Sequence, residues 1–357
     1  MRKLKVAIIG LAHVHAQCLY RDFNKYPEQI EWLGCADVPP FDEKGVENRI
    51  QMNLPNGKDV KIYDDYKTLL DLNPDIALIC TDIKGHADIV EETLARNIHT
   101  VVEKPMATTI EEGIRMYRAD KKSNATLVIN WPVAWFASFR KAYELVKSGV
   151  IGIPLRFHYR SPATWGPYDY GKYSAQELSE MWWYQHERGG GSIMDYAGYG
   201  CLLPTWFLGG MAERVSGMKK NFLLPFSDVE DYSTFTLDFG NSIGLIEGSW
   251  STLNNGEIPT GPVIYGSEGT IVADRYSNQV KVYKQISHQS TEADAVYDVE
   301  DLEEDIARNV IEHIHHGTPV HELISVEFNL KVMAALDAGI RSCKSGNIET
   351  VKNPFQV

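Results

Sequence analysis

The chain has few cysteines, and they are scattered. Among its 357 residues there are five, Cys18, Cys35, Cys80, Cys201 and Cys343, and no two of them form a C-x-x-C pair. A disulfide framework and a structural zinc site both need cysteines that are paired or clustered. The pattern therefore argues against both and predicts a protein of the reducing cytoplasm.

Long apolar runs and an excess of positive charge are also absent. No run of 18 apolar residues occurs, and Met1–Val6 leads straight into a strand pattern, so we expect neither a membrane span nor a secretory leader. Lys and Arg number 35 against 48 Asp and Glu, which gives a net charge of -13. Because an acidic surface repels nucleic acids and anionic membranes, we expect neither as a partner.

Short apolar runs alternate with helical patterns at the start of the chain. The runs that predict strands are Leu4–Ile9, Glu31–Ala36, Val60–Tyr63, Ile76–Cys80, Ile98–Val102 and Thr126–Ile129. The helical patterns begin near His13 and continue with Tyr66–Leu70, His86–Arg96 and Ile110–Asp120. This alternation is typical of a doubly wound parallel sheet in the α/β class, so we expect a Rossmann domain over residues 1–126.

The pattern changes in the rest of the chain. Strands are predicted at Leu155–Tyr159, Tyr232–Asp238, Ile243–Ser251, Val263–Tyr265, Thr270–Val272 and Val280–Tyr283. Helices are predicted at Phe139–Lys147, Leu302–His315 and Val326–Lys344. Tight turns at Gly240-Asn241 and Glu268-Gly269 favour antiparallel pairing, so residues 127–357 are predicted to form an α+β domain on one mainly antiparallel sheet.

A candidate cofactor turn lies between the first strand and the first helix. It reads Gly10-Leu11-Ala12-His13-Val14-His15. A dinucleotide needs a tight turn, close approach of the backbone to its pyrophosphate, and a helix amino terminus facing it. Gly10 meets the first need, although Ala12 and His15 replace the other two glycines of the fingerprint. We predict cofactor contacts from Gly10, Ala12, His13 and Val14, and an ordinary strand–turn–helix remains the alternative.

Asp37 follows the second predicted strand. A carboxylate at this place accepts hydrogen bonds from the adenosine ribose hydroxyls and repels a 2′-phosphate. It therefore favours NAD over NADP, with NADP still possible. The alternative is a turn carboxylate.

Lys104 stands in Glu103-Lys104-Pro105, directly after the buried run that ends at Val102. Open α/β sheets bind their ligands at the carboxyl ends of the strands. A lysine there can hydrogen-bond to a substrate oxygen, or exchange a proton with it, beside a bound cofactor. By itself the tripeptide also fits a strand end followed by a proline turn.

A glycine run opens a further helical pattern. Gly189-Gly190-Gly191 precedes Ser192, which is expected to cap the helix, and Asp195 and Tyr199 then share one helical face. An acid and a phenol on one face suit proton transfer. A capped, packed helix is the alternative interpretation.

Taken in order, these motifs resemble the Gfo/Idh/MocA family of oxidoreductases. The resemblance covers nearly the whole chain and includes Pro74–Thr81 with His86, Glu103-Lys104-Pro105, Gly149–Pro154, Tyr265–Thr270 and Ala334–Gly346. It implies a Rossmann domain followed by a domain with a large open sheet, and oligomers formed through that sheet. It also implies a bound NAD or NADP, and extends the cofactor site to Thr81, His86, Glu103 and Lys104.

The resemblance further implies roles for three residues. Lys104 matches the active-site lysine of the family and Asp195 matches the acid of its D-x-x-x-H motif, while Tyr199 replaces the histidine of that motif. A tyrosine there is similar to the branch that includes glucose-fructose oxidoreductase. The implied activity is hydride transfer between nicotinamide and a sugar, cyclitol or related polyol, by a homodimer or homotetramer.

Two other functions remain open. One is a glycosidase or lyase that oxidises and re-reduces its substrate with a cofactor it never releases, and the other is a non-catalytic NAD-dependent sensor of sugar metabolites. No metal site is expected, since the clustered His313, His315 and His316 lack a carboxylate or cysteine at ligand spacing. Four tryptophans are candidates for stacking on sugar faces: Trp131, Trp165, Trp182 and Trp183.

Overall fold

The first domain is built on a six-stranded parallel sheet. The computed structural model of the chain describes residues 2–39, 60–160, 173–252, 260–273, 278–286 and 291–356. The strands are β1 (Leu4–Ile9), β2 (Ile30–Ala36), β3 (Ile62–Tyr63), β4 (Ile76–Ile79), β5 (His99–Glu103) and β6 (Leu127–Asn130). They lie in the order β3-β2-β1-β4-β5-β6, so the crevice at the carboxyl ends of β1 and β4 is the switch point where such sheets bind ligands.

Helices cover this sheet. They are α1 (Ala16–Phe23), α2 (Tyr66–Leu70), α3 (His86–Ala95) and α4 (Ile110–Lys122). In α4 the Thr109 side chain accepts a hydrogen bond from the Glu112 backbone N–H, and Lys121 and Lys122 occupy the last turn. These residues satisfy a free donor at one end of the helix and complement its dipole at the other.

The second domain is built on a nine-stranded sheet. Its strands are β7 (Pro154–Arg160), β8 (Arg214–Lys220), β9 (Tyr232–Asp238), β10 (Ile243–Ser249), β11 (Val263–Gly266), β12 (Thr270–Ala273), β13 (Gln279–Tyr283), β14 (Ala295–Asp298) and β15 (Glu349–Thr350). The order is β14-β13-β12-β11-β7-β10-β9-β8-β15, and β7 with β10 is the parallel pair among otherwise antiparallel neighbours.

The described part of the second domain has five α-helices, and the first, third and fifth of them pack against that sheet. The five are α5 (Ala137–Lys147), α6 (Ala175–Glu180), α7 (Gly198–Leu208), α8 (Ile306–His316) and α9 (Val326–Ser345). Helix α9 contacts β8, and it also contacts α4 and β6 of the first domain. The two domains therefore share one continuous apolar core. Among the described residues, no helix is both long enough and apolar enough to cross a membrane.

The predicted fold class is confirmed, with corrections to individual elements. Strands β8, β14 and β15 and helix α6 were not predicted. Helix α8 begins at Ile306 rather than near Leu302, because the Asp305 side chain accepts a hydrogen bond from the Arg308 N–H and caps the helix there. The division expected after residue 126 falls just before β6, which pairs with β5 in the parallel sheet, so we place the division after Asn130.

Candidate functional site

The cofactor turn is a tight loop held between neighbouring strands. Gly10 has φ +78°, and a Cβ built on it would lie 2.3 Å from Thr81 Cγ2 and 2.7 Å from the Thr81 nitrogen, so only glycine fits. The Gly10 N–H donates to the Ala36 carbonyl at 2.7 Å, and the His13 N–H donates to the Cys80 carbonyl at 3.0 Å. The turn is thus held tightly against the ends of β2 and β4.

Asp37 supports this turn directly. Its Oδ1 accepts hydrogen bonds from the Leu11 N–H at 2.9 Å and from the Val38 N–H at 3.0 Å, and the residue is buried. Its place at the carboxyl end of β2 is that of the acid that binds the adenosine ribose in Rossmann domains. The carboxylate therefore supports the turn, as the alternative interpretation of Asp37 expected, and its contact with a ribose stays a prediction.

Thr81 and His86 border the same crevice from β4 and α3. The Thr81 hydroxyl donates to the Asp82 carbonyl at 2.8 Å. His86 is fully buried, its Nδ1 lies 3.3 Å from the Met106 carbonyl oxygen, and its Nε2 has no hydrogen-bond partner in the described part of the chain. Burial lowers the pKa of His86, so its ring is neutral at pH 7.

Glu103 holds the end of β5 to the cofactor turn. Its Oε1 accepts from Asn130 Nδ2 at 2.5 Å, and its Oε2 lies 3.0 Å from His15 Nδ1. His13, His15 and Glu103 offer possible ligand atoms within 4.8 Å of one another. However, the positive end of α1 and the Lys104 ammonium both repel a cation here, and His13 Nδ1 already accepts the His15 N–H. We assign no metal to this cluster.

Lys104 and Asp195 form a buried ion pair between the two domains. Lys104 Nζ lies 2.5 Å from Asp195 Oδ1, and the two side chains are 3 % and 10 % exposed. The other carboxylate oxygen of Asp195 accepts a hydrogen bond from Trp250 Nε1 at 2.9 Å. Asp195 therefore orients the lysine and is itself oriented by Trp250.

Tyr199 lies beside this pair. Lys104 Nζ is 4.9 Å from the centre of the Tyr199 ring, which also packs edge-on against Trp131 with ring centres 4.9 Å apart. Burial lowers the pKa of Lys104, but the charge and hydrogen bond of Asp195, together with the nearby Tyr199 and Glu103 side chains, more than offset burial, so this pKa lies above its usual value. Lys104 is therefore an ammonium at physiological pH and can donate hydrogen bonds.

The helix that carries Asp195 and Tyr199 begins differently from the prediction. Ile193–Ala197 is a π-helical turn, and α7 follows it. Ser192 does not cap this turn, because its hydroxyl is buried without a hydrogen-bond partner among the described residues. Glu230 replaces it: its Oε1 accepts the Ile193 N–H and its carbonyl accepts the Ser192 N–H, each at 3.0 Å.

The structure brings most of the predicted site residues together and corrects one interpretation. Trp131, Trp182 and Trp183 are at most 2 % exposed, so their faces are packed and cannot stack on a sugar. Trp165 lies outside the described residues. Trp250 and Arg188 were not predicted, and no local pattern marks them, because their partners are 55 and 106 positions away along the chain.

Comparison with known proteins agrees with this architecture. Residues 4–131 match a model described as an oxidoreductase family with an NAD-binding Rossmann fold, and residues 139–272 match the GFO/IDH/MocA C-terminal domain. A myo-inositol 2-dehydrogenase of Thermotoga maritima is 29% identical over 180 residues, which are 50% of this chain and 51% of the relative. The chain thus matches about half of that relative's length.

Solved structures extend the likeness of fold to nearly the whole chain. A levoglucosan dehydrogenase in complex with NADH and levoglucosan superposes with a TM-score of 0.77 at 18% identity, covering 99% of this chain and 100% of that one. An aldose-aldose oxidoreductase of Caulobacter crescentus complexed with glycerol gives 0.76 at 19% identity, covering 98% and 100%. At these low identities the similarity shows a shared fold only.

Proposed function

Because the chain belongs to the GFO/IDH/MocA oxidoreductase family, we propose that it transfers a hydride between NAD and a hydroxyl or carbonyl carbon of a sugar, cyclitol or related polyol. The observation that carries the proposal is the Lys104–Asp195–Tyr199 cluster. It lies at the carboxyl end of β5, where a Rossmann sheet meets its ligand. The relatives named above act on or bind polyols of this class.

The residues of the cluster divide the proton chemistry between them. When bound, the nicotinamide accepts or donates the hydride. Tyr199 exchanges the proton on the reacting oxygen, since Lys104 is already protonated and cannot serve as the base. The Lys104 ammonium stabilises negative charge that develops on that oxygen. Asp195 holds the ammonium in place, and Trp250 holds Asp195.

A screen for reduced-cofactor absorbance tests the proposal. Purified protein is mixed with NAD or NADP and each member of a panel of sugars and cyclitols, with the Lys104→Met variant run in parallel. We expect substrate-dependent NADH formation that the variant loses. Absence of turnover across the panel, with NADH still bound, would support a sensor. Product formed without added NAD would support a glycosidase or lyase that retains its cofactor.

We also propose that the protein forms homodimers or homotetramers through the outer face of the nine-stranded sheet. Met218, Ile243 and Leu245 point to this face and are 63%, 42% and 38% exposed. Exposed apolar residues grouped on an open sheet mark an interaction surface. Leu245→Lys should lower the molar mass measured by light scattering. Ile286→Lys is the control, because Ile286 is fully exposed outside the strands.

We place the protein in a reducing compartment such as the cytoplasm. All five cysteines are free thiols, and three of them are buried. Oxidising compartments favour paired cysteines instead.

A further inference from the structure

A segment of the second domain packs on both cofactor loops of the first. We call residues 182–190 the clasp. Trp182 is fully buried, and its Nε1 donates a hydrogen bond to the Ala12 carbonyl in the cofactor turn at 3.1 Å. Trp183 stacks on Trp182 with ring centres 3.8 Å apart and lies 5.0 Å from the ring of His13. The clasp therefore contacts the turn that follows β1.

The other end of the clasp is tied to the loop that follows β4. Arg188 Nε donates to Asp82 Oδ2 at 2.6 Å, and the two side chains are only 12% and 10% exposed. Asp82 is adjacent to Thr81, and its Oδ1 accepts the Gly85 N–H at 3.0 Å. The ion pair thus joins the clasp to the loop after β4, which borders the crevice.

The glycine run lets the clasp approach this closely. A Cβ on Gly189 would lie 2.8 Å from Ile83 Cβ and 2.9 Å from Thr108 Cγ2, both in the first domain. A Cβ on Gly190 would lie 2.2 Å from the Trp183 carbonyl oxygen. Gly189 therefore allows close packing between the domains, and Gly190 allows close packing within the clasp.

The clasp leads directly into the π-helical turn Ile193–Ala197 and helix α7, which carry Asp195 and Tyr199 and which together we call the proton-transfer helix. Gly191 and Ser192 connect it to the π-helical turn that carries Asp195. Because one continuous segment touches the turn after β1, the loop after β4 and the helix of Asp195, separation of the clasp from the first domain would disturb all three together.

We propose that the clasp gates the dinucleotide: it must separate from the loops after β1 and β4 before the cofactor can leave, and when closed it holds the proton-transfer helix against them. Trp182 and Arg188 are positioning residues in this account. The proposal rests on the proposed function for its cofactor and adds a role for the second domain in cofactor exchange.

The rate at which NADH is released reports on the gate, and it can be measured without any substrate. Protein loaded with NADH is mixed with excess NAD in a stopped-flow fluorimeter, and the loss of bound-NADH fluorescence is followed. Trp182→Phe keeps a ring in place but removes the N–H donor, and should speed release about fivefold, as expected for one lost hydrogen bond. The double variant Asp82→Asn with Arg188→Gln removes both charges, and should speed release on the order of tenfold.

A matched control separates the gate from general loosening. Trp32→Phe removes a comparable indole hydrogen bond, from Trp32 Nε1 to Asn24 Oδ1 at 2.7 Å, on β2 and away from the clasp. It should leave the release rate unchanged. Thermal unfolding of each variant without cofactor shows whether the fold is retained.

Two results would overturn the gate. One is release at the parental rate in both clasp variants, and the other is equal acceleration in Trp32→Phe. The release measurement contains no sugar, so it does not depend on turnover of a polyol. If the protein turns over no polyol but the clasp variants still release NADH faster, the proposed oxidoreductase activity is refuted and the gate is supported.

Discussion

Lys104 of the Rossmann domain and Asp195 of the second domain meet 2.5 Å apart, Nζ to Oδ1, across the boundary between the two domains. The pair is almost fully buried, so each charge depends on the other. The same contact that orients the lysine therefore also helps to join the domains, and a substitution of Lys104 affects both chemistry and stability.

Lys104→Met should lower turnover by roughly 10²-fold or more, because the ammonium that stabilises the developing alkoxide is lost. It should also lower the free energy of unfolding by about 3–5 kcal/mol, since it leaves the Asp195 carboxylate buried without its partner. Steady-state kinetics and urea unfolding measure the two effects. Lys104→Met combined with Asp195→Asn is the control, and should recover stability but not turnover.

Tyr199→Phe should lower turnover about 10²-fold and remove the titration of the proton-exchanging group from the pH profile. The phenyl ring keeps the contacts with Trp131 and with the Lys104 ammonium, so we expect little change in stability. Tyr196→Phe is the matched control, because its ring centre lies 6.0 Å from that of Tyr199, in the π-helical turn that precedes α7. An unchanged pH profile in Tyr199→Phe would contradict the assignment.

Two substitutions of Asp37 separate its charge from its support of the turn. Asp37→Asn keeps an oxygen that can accept the Leu11 N–H but removes the charge that opposes a 2′-phosphate. It should therefore narrow the preference for NADH over NADPH with little loss of stability. Asp37→Ser also places the acceptor oxygen on a shorter side chain. It should lower the free energy of unfolding by roughly 1 kcal/mol more than Asp37→Asn does. Fluorescence titration with both cofactors and thermal unfolding test these outcomes.

Parental protein that binds NADPH more tightly than NADH would refute the role of the Asp37 charge.

The free energy of unfolding should fall as the pH is lowered below neutrality, because His321 has different pKa values in the folded and the unfolded chain. Burial and the nearby Arg140 guanidinium lower the pKa of His321 to about 4. The unfolded chain, with a histidine pKa near 6.5, takes up the proton first. Above about pH 7, His321 is thus neutral in both the folded and the unfolded chain and does not reduce stability. At pH 5, protonation of His321 in the unfolded chain lowers the free energy of unfolding by up to about 2 kcal/mol.

Urea unfolding at pH 7 and pH 5 measures this difference. His321→Asn should reduce it while keeping an acceptor for the Leu323 N–H. The substitution should not abolish the difference between pH 7 and pH 5, because burial also lowers the pKa values of His13 and His86. His316→Asn, at an exposed position, is the control. The same loss between pH 7 and pH 5 in the parental protein and in His321→Asn would refute the assignment.

The sequence by itself determined the order of the elements and the residue types at the crevice. Apolar runs such as Leu4–Ile9 and Ile76–Cys80 predict buried strands because burial depends on local composition and period. Gly10 marks its turn because only glycine accepts that backbone angle. Lys104, Asp195 and Tyr199 were recognisable as candidates for the same reason: each stands in a local motif.

Only the tertiary structure decided how these residues act. Lys104 is kept charged by Asp195, which is 91 positions away, and Trp182 reaches Ala12 across 170 positions. The strands β8 and β14 and the cap provided by Glu230 also escaped prediction, because their stability comes from neighbours distant in the chain. Pairing, burial and charge depend on the neighbours of a side chain in space. Those neighbours come from segments that are distant in the sequence, and no local pattern shows which segments will meet.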